Sequence, residues 1–277
     1  MKIFTLIIAL FLTLSLPLAA WGEREATMCG AIKERLMFTL WHWHTPKADP
    51  QRAAAHPDIE PTEFVTSDGK TLRGLRYIAR DPQLQGEAAK GYLLLAMGNG
   101  MVADQMVVEM QAYAEAGYDV YVFDYRGYGR SEGRRRLGAI IADYREVVEH
   151  LNQRYDRALL YGTSFGGIVV MNVIGQGALF DAAVVDSSPS RLSEHGCPVA
   201  VDPIEHLSEE QAGRLLVITG DRDTVLDNSM IGALREEAAR MGLDTYRGRD
   251  LAHPFMDSPA AHARRTALIR EHLLVVD

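Results

Sequence analysis

From residue 63 onward the apolar positions fall into short blocks whose period keeps changing. "EFVTSDGKTLRGLRYIAR" alternates on both sides of Asp68-Gly69, a dipeptide suited to a hairpin turn, and predicts an antiparallel pair. "KGYLLLAM", "DVYVFDY" and "RALLYGTS" are continuous apolar runs of strand length, as expected for strands covered on both faces. Between them "VADQMVVEMQAYAEAGY", closed by Gly117, and "GAIIADYREVVEHLNQRY" carry helical spacing. A helix from Ser164 follows. "AAVVDSS", "RLLVITGDRD" and "DTYRG" extend the strand series, with helices near 228–241 and 260–274. Strands alternating with helices predict an α/β fold, with a mostly parallel sheet, right-handed crossovers and helices on both faces.

The segment before residue 63 lacks this regularity. Lys2, the apolar run 3–16, Pro17 and the small residues Ala19-Ala20 describe a secretory leader over residues 1–20, cleaved near Trp21–Glu23. A retained membrane anchor is the alternative, since the run is near the lower length limit for a spanning helix. Either way the chain is expected to be exported, periplasmic or secreted. Residues 21–62 form an N-terminal aromatic segment and linker. "RLMFTLWHWHTP" reads as a short helix or an interfacial segment, and Pro46, Pro50, Pro57 and Pro61 prevent a long helix after it. His42 and His44 lack further ligands nearby and are read as packing and surface residues, so no metal is expected. Cys29 and Cys197 are the two cysteines, and the sequence leaves open whether they pair.

Length and charge narrow the picture further. A chain of 277 residues holds one large α/β domain, placed over 63–277. A net charge of −8 disfavours nucleic acid, because phosphate binding needs a basic face. The basic run Arg134-Arg135-Arg136 is read as a solvated loop.

The chemistry is concentrated in Gly162-Thr163-Ser164-Phe165-Gly166, which fits G-x-S-x-G where a buried strand meets a helix. A serine there occupies a tight turn above the sheet, and the flanking glycines let strand and helix backbones approach. The backbone N–H of Phe165 faces the same space and suits an oxyanion. A serine needs a base, and the base an orienting acid. With this elbow they follow in the order Ser, Asp or Glu, His. Asp223, after the strand "RLLVITG", is the preferred acid, with Asp221, Asp227 and Asp186 as substitutes. His253, in the loop "GRDLAHPFMD", is the preferred base, because His262 and His272 lie on a predicted helix.

"YGTSFGG", "GDRDTV", "AHPF" and "FDYRGYGRSEG" together resemble the α/β-hydrolase superfamily, from about Glu63 to the C-terminus. The resemblance is closest to the compact serine-hydrolase branch of monoacylglycerol-lipase-like, serine-aminopeptidase-like and depalmitoylating enzymes. It implies Ser164 as nucleophile, His253 as base and Asp223 as acid. Asp124, Arg126, Gly127 and Gly129 match a structural turn. Met97-Gly98 stands where the family usually has His-Gly, and the second oxyanion donor falls by position on the Asn99 N–H. About 25 residues, 187–213, separate two strands where relatives insert a lid. A minimal or absent cap and a fairly open mouth are expected. Met97, Met101, Met106 and Met110 are read mainly as core, with Met97 and Met101 as possible pocket walls.

The implied activity is a serine esterase or thioesterase needing no metal or organic cofactor, acting on a small or lipid-like acyl substrate. Membrane association through the N-terminus is compatible with it. A peptidase or amidase of the same fold is the second reading. A catalytically silent binding scaffold is the third.

Overall fold

A computed structural model describes residues 24–43, 45–81, 83 and 88–275. The leader, the cleavage point near Trp21–Glu23 and His44 lie outside the described residues, as does the side chain of His42. Among the described residues, no helix is long and apolar enough to cross a membrane.

Eight strands form one sheet in the order β1-β2-β4-β3-β5-β6-β7-β8. They span Ile59–Val65, Thr71–Tyr77, Gly91–Ala96, Tyr118–Phe123, Ala158–Thr163, Ala182–Asp186, Leu215–Gly220 and Asp244–Gly248 for β1 to β8. β1 pairs antiparallel with β2, and β2 with β4; every later pairing is parallel. The central strands β3 to β7 are buried along their whole length, which is why their sequences read as unbroken apolar runs. β1 is an edge strand, and this explains a difference from the sequence expectation. It starts at Ile59 and contains Pro61 opposite Leu75, because an edge strand tolerates a residue that cannot donate to the ladder.

The helices used below are α1 (Ala31–Trp43), α2 (Leu137–Asn152), α3 (Phe165–Gly175), α4 (Asn228–Arg240) and α5 (Pro259–Leu274). The helix predicted after β3 is broken into Ala103–Met106, a 3-10 turn Val107–Met110, and Gln111–Glu115. The coil tightens at Val107-Val108, two adjacent β-branched residues that crowd a regular α-helix.

Residues before β1 are built into the same body. Arg126, wholly buried in the turn after β4, is gripped by Asp68 of the β1–β2 hairpin and by Asp143 of α2. Burial alone would lower its pKa, but these carboxylates hold the guanidinium well above its ordinary value. Burial likewise works against ionised Asp68, yet the bonds from Arg126 and Thr66 bring that carboxyl down to about 2. Arg24 joins the cluster through Asp143 and Glu146, and so pins the chain just before α1. Phe38 of α1 is buried edge-on against Phe165 and Tyr128, with ring centroids 5.7 and 6.5 Å apart.

Cys29 and Cys197 form a disulfide, which settles the pairing that the sequence left open. It joins the segment before α1 to the strap 187–213 across 168 residues of chain. Closing so long a loop restricts the unfolded chain strongly, so Cys29→Ser is expected to cost about 2–4 kcal/mol. Urea denaturation with and without reductant measures this. An unchanged midpoint on reduction would show that the link contributes nothing.

Candidate active site

Ser164 sits between β5 and α3 with φ 54° and ψ −116°. Among the described residues the other non-glycines with positive φ are Ser187 and Phe255, at the end of β6 and in the His253 loop. Backbone strain is therefore gathered at the carboxyl end of the sheet. The glycines around Ser164 are needed for close approach. A Cβ on Gly166 would lie 1.8 Å from the Ala96 carbonyl oxygen, and one on Gly162 would lie 2.5 Å from that of Gly166. β3, β5 and α3 can meet there only without side chains. As first residue of α3, Phe165 has an N–H with no intrahelical acceptor.

The acid and base come together from separate loops. His253 Nδ1 lies 2.8 Å from Asp223 Oδ2, and both residues are buried. The other carboxylate oxygen, Oδ1, accepts from the backbone N–H groups of Val225 and Leu226 at 2.9 and 2.8 Å. Burial pushes the Asp223 carboxyl up, but the bonds from His253, Leu226 and Val225 outweigh it and leave the pKa below the ordinary value. Asp223 is therefore ionised near neutral pH and holds the imidazole by Nδ1.

The substitute acids are occupied elsewhere. Asp221 is paired with Arg247 near the surface, 2.6 Å from its Nε. Asp227 caps α4, accepting from Ser229 N at 2.8 Å. Asp186, wholly buried at the end of β6, is ion-paired with Arg265. His262 and His272 both lie on α5.

Ser164, His253, Phe165, Gly98 and Asn99 line one cavity of about 380 Å³. Its remaining wall is mainly apolar, including Met101, Leu137, Ile168, Leu192 and Met230. Gly98 is close to the serine: a Cβ there would stand 3.7 Å from Ser164 Cβ. Met101 lines the cavity, whereas Met97, Met106 and Met110 are buried in the core. Met37 of α1 and Leu192, His195 and Cys197 of the strap also line the cavity, because the disulfide and Phe38 fasten both segments over this end of the sheet.

Comparison with known proteins places this arrangement. A family model described as serine aminopeptidase, S33, matches residues 87–204, which include the elbow but end before Asp223 and His253. The uncharacterised protein YfhR of Escherichia coli O157:H7 is 33% identical over 126 residues, covering 43% of this chain and 42% of that protein. WAV2 of Arabidopsis thaliana, an alpha/beta hydrolase domain-containing protein, is 30% identical over 108 residues, covering 38% of this chain and 34% of its own. The chain thus spans about two fifths or less of the length of these relatives. Among solved structures, the esterase Pf2001 of Pyrococcus furiosus superposes with a TM-score of 0.62 at 17% identity, over 83% of this chain and 96% of that one. Est2 of Thermogutta terrifontis, an esterase with propionate bound, gives 0.63 at 17%, over 79% and 94%. The chain has the α/β-hydrolase fold of these esterases.

Two devices that hold this site have almost no signal in the sequence. The loop with Met97 in place of the usual histidine is held by tyrosines of "FDYRGYG". Tyr125 Oη donates to the Met97 carbonyl at 2.7 Å, and Tyr128 Oη donates to Asn99 Oδ1 at 2.5 Å. In the same turn Asp124 accepts from the N–H groups of Ala103 and Arg130, the structural role the resemblance implied. The His253 loop is fastened from α5. Arg265 donates to the Ala252 carbonyl at 2.5 Å and pairs with Asp257, which in turn accepts from Ala252 N at 2.6 Å. The only sequence signal for either was a tyrosine pair and an arginine on a helix, and neither names its partner.

Proposed function

We propose that the protein is a serine hydrolase cleaving carboxylic esters or thioesters through an acyl-enzyme on Ser164. Ser164 Oγ attacks the acyl carbonyl while His253 takes its proton at Nε2, and Asp223 holds Nδ1 and steadies the imidazolium. The N–H groups of Phe165 and Asn99 receive the oxyanion. His253 then protonates the leaving alcohol or thiol, and a water activated by the same histidine releases the acid. The observation that carries this reading is the shared cavity, with a strained serine, an Asp-paired histidine and an apolar wall. The esterase function of the structural neighbours is in keeping with it.

An aminopeptidase is the second reading, favoured by the description of the matching family model. It is the weaker one, because a substrate α-ammonium needs a carboxylate and none is among the residues lining the cavity. Labelling by a fluorophosphonate probe tests the proposal. Prompt labelling is expected; a folded protein that stays unlabelled would favour a silent scaffold instead.

The substrate side we infer to be an acyl chain. Each methylene buried in the apolar wall contributes about 0.8 kcal/mol at most. kcat/KM is therefore expected to rise by up to about fourfold per carbon from acetate to octanoate esters until the cavity fills. A flat series would place the acyl group elsewhere. We also place the protein outside the inner membrane, a reading supported by the apolar run 3–16 and by a disulfide of the kind that persists in oxidising compartments.

A further inference from the structure

Of the basic run Arg134-Arg135-Arg136, only Arg134 is left to solvent. Arg136 is only 8% exposed and Arg135 is half-buried. With Arg35, brought by α1 from a distant part of the chain, they line a cleft of about 390 Å³ beside Phe38 and Thr39. Four arginines thus line one space in a protein whose net charge is −8.

Glu25 is ion-paired with Arg134, and the other neighbouring carboxylates bind other partners. Asp68 and Asp143 bind Arg126 and Arg24. Glu34 is buried and accepts from the N–H groups of Met28, Cys29 and Leu137. Glu25 approaches Arg134 Nε at 3.6 Å, but it also accepts from Arg134 N and from Arg126. Arg135 lies 5.5 Å over the Tyr128 ring, and Arg136 Nη1 donates to the Arg135 carbonyl. Among the described residues, Arg135 Nη1 and Arg136 Nε are buried with no hydrogen-bond acceptor.

Unpartnered cationic donors held beside like charges are costly, and an anion with several acceptor oxygens removes both penalties at once. Planar guanidinium forks fit tetrahedral phosphate by paired bonds better than a single carboxylate satisfies four of them. We infer that the cleft of Arg35, Arg134, Arg135 and Arg136 is a binding site for a phosphate-bearing ligand, separate from the Ser164 cavity. Soluble phosphoesters and phospholipid headgroups share this chemistry. The second source has a structural motive: Ile32, Leu36 and Leu40 recur every fourth residue along α1 and are exposed by 82, 55 and 47%. An apolar crest with an arginine cleft on its flank suits a lipid surface.

The site does not depend on the hydrolase reading, and its test does not use activity. Thermal melts of the full chain are run with inorganic phosphate, with glycerol 3-phosphate, and with chloride at matched ionic strength. Phosphate is expected to raise Tm by several degrees beyond chloride. In Arg35→Gln/Arg134→Gln, two exposed changes that spare the fold, phosphate affinity should fall about tenfold or more. Arg136→Gln should act in the same direction, and if it unfolds, the exposed pair alone carries the test. A parallel arm compares sedimentation with phosphatidylglycerol and phosphatidylcholine vesicles, reading only the difference between the two lipids. A phosphatidylglycerol preference that the double variant loses, without a soluble-phosphate effect, identifies a headgroup site. Wild-type protein that responds to neither phosphate nor phosphatidylglycerol, or a double variant that responds as wild type does, overturns the proposal.

Discussion

Ser164→Ala is expected to remove hydrolysis of short p-nitrophenyl esters almost completely, by on the order of 10⁶ in kcat, and to abolish fluorophosphonate labelling. The magnitude follows from the arrangement. Ser164 is the serine that lines the cavity together with His253, and loss of Oγ leaves the imidazole with nothing to activate but water. The proposed oxyanion donors, the N–H groups of Phe165 and Asn99, are main chain, so the mutant keeps them and some residual rate. Stability should change little, because alanine keeps the Cβ and removes only a hydroxyl. The strained turn itself is set by the close meeting of β3, β5 and α3 at Gly162 and Gly166. Circular dichroism and a melting curve check that the fold persists. Substantial turnover in a folded Ser164→Ala protein would place the chemistry on another residue.

Asp223→Asn is expected to cost about four powers of ten in kcat. Here the backbone decides how the asparagine would sit. Oδ1 of Asp223 accepts from two N–H groups, Val225 and Leu226, so an amide would turn its carbonyl oxygen toward them. Its NH₂ would then face His253 Nδ1 and force that nitrogen to accept. The proton moves to Nε2, the nitrogen needed to receive the serine proton, and the base is lost. Asp221→Asn should cost far less than tenfold, because that carboxylate is paired with Arg247 near the surface and does not reach the histidine. Steady-state kinetics on both variants test the contrast. A larger loss at Asp221 than at Asp223 would reverse the assignment of the acid.

Residues that act through local backbone geometry were legible from the chain alone. Asp68-Gly69 announced its hairpin, and the unbroken apolar runs announced buried parallel strands. G-x-S-x-G marked the elbow because glycine spacing at a strand–helix junction is a local steric requirement. The preference for Asp223 over Asp221 also came from position at a strand end, although the sequence kept four acids open. The rest of the cavity lining was not legible, for the opposite reason. Met37 and the strap residues Leu192, His195 and Cys197 reach the cavity from segments far apart in sequence, and Phe38 packs on Phe165 from the same distant helix.

By itself, then, the sequence determined the strand and helix order, the hairpin, the elbow serine and a short set of acids and histidines. Each of these is written in spacing between near neighbours, where sterics and periodicity act directly. Tertiary structure alone decided which carboxylate meets His253, that Cys29 pairs with Cys197, and that tyrosines replace a histidine in holding the Asn99 loop. It also turned a basic run read as solvated into a cleft completed by Arg35. Such pairings depend on contacts between residues tens to more than a hundred positions apart. Burial and hydrogen-bond satisfaction select among them only once the sheet has brought the loops together.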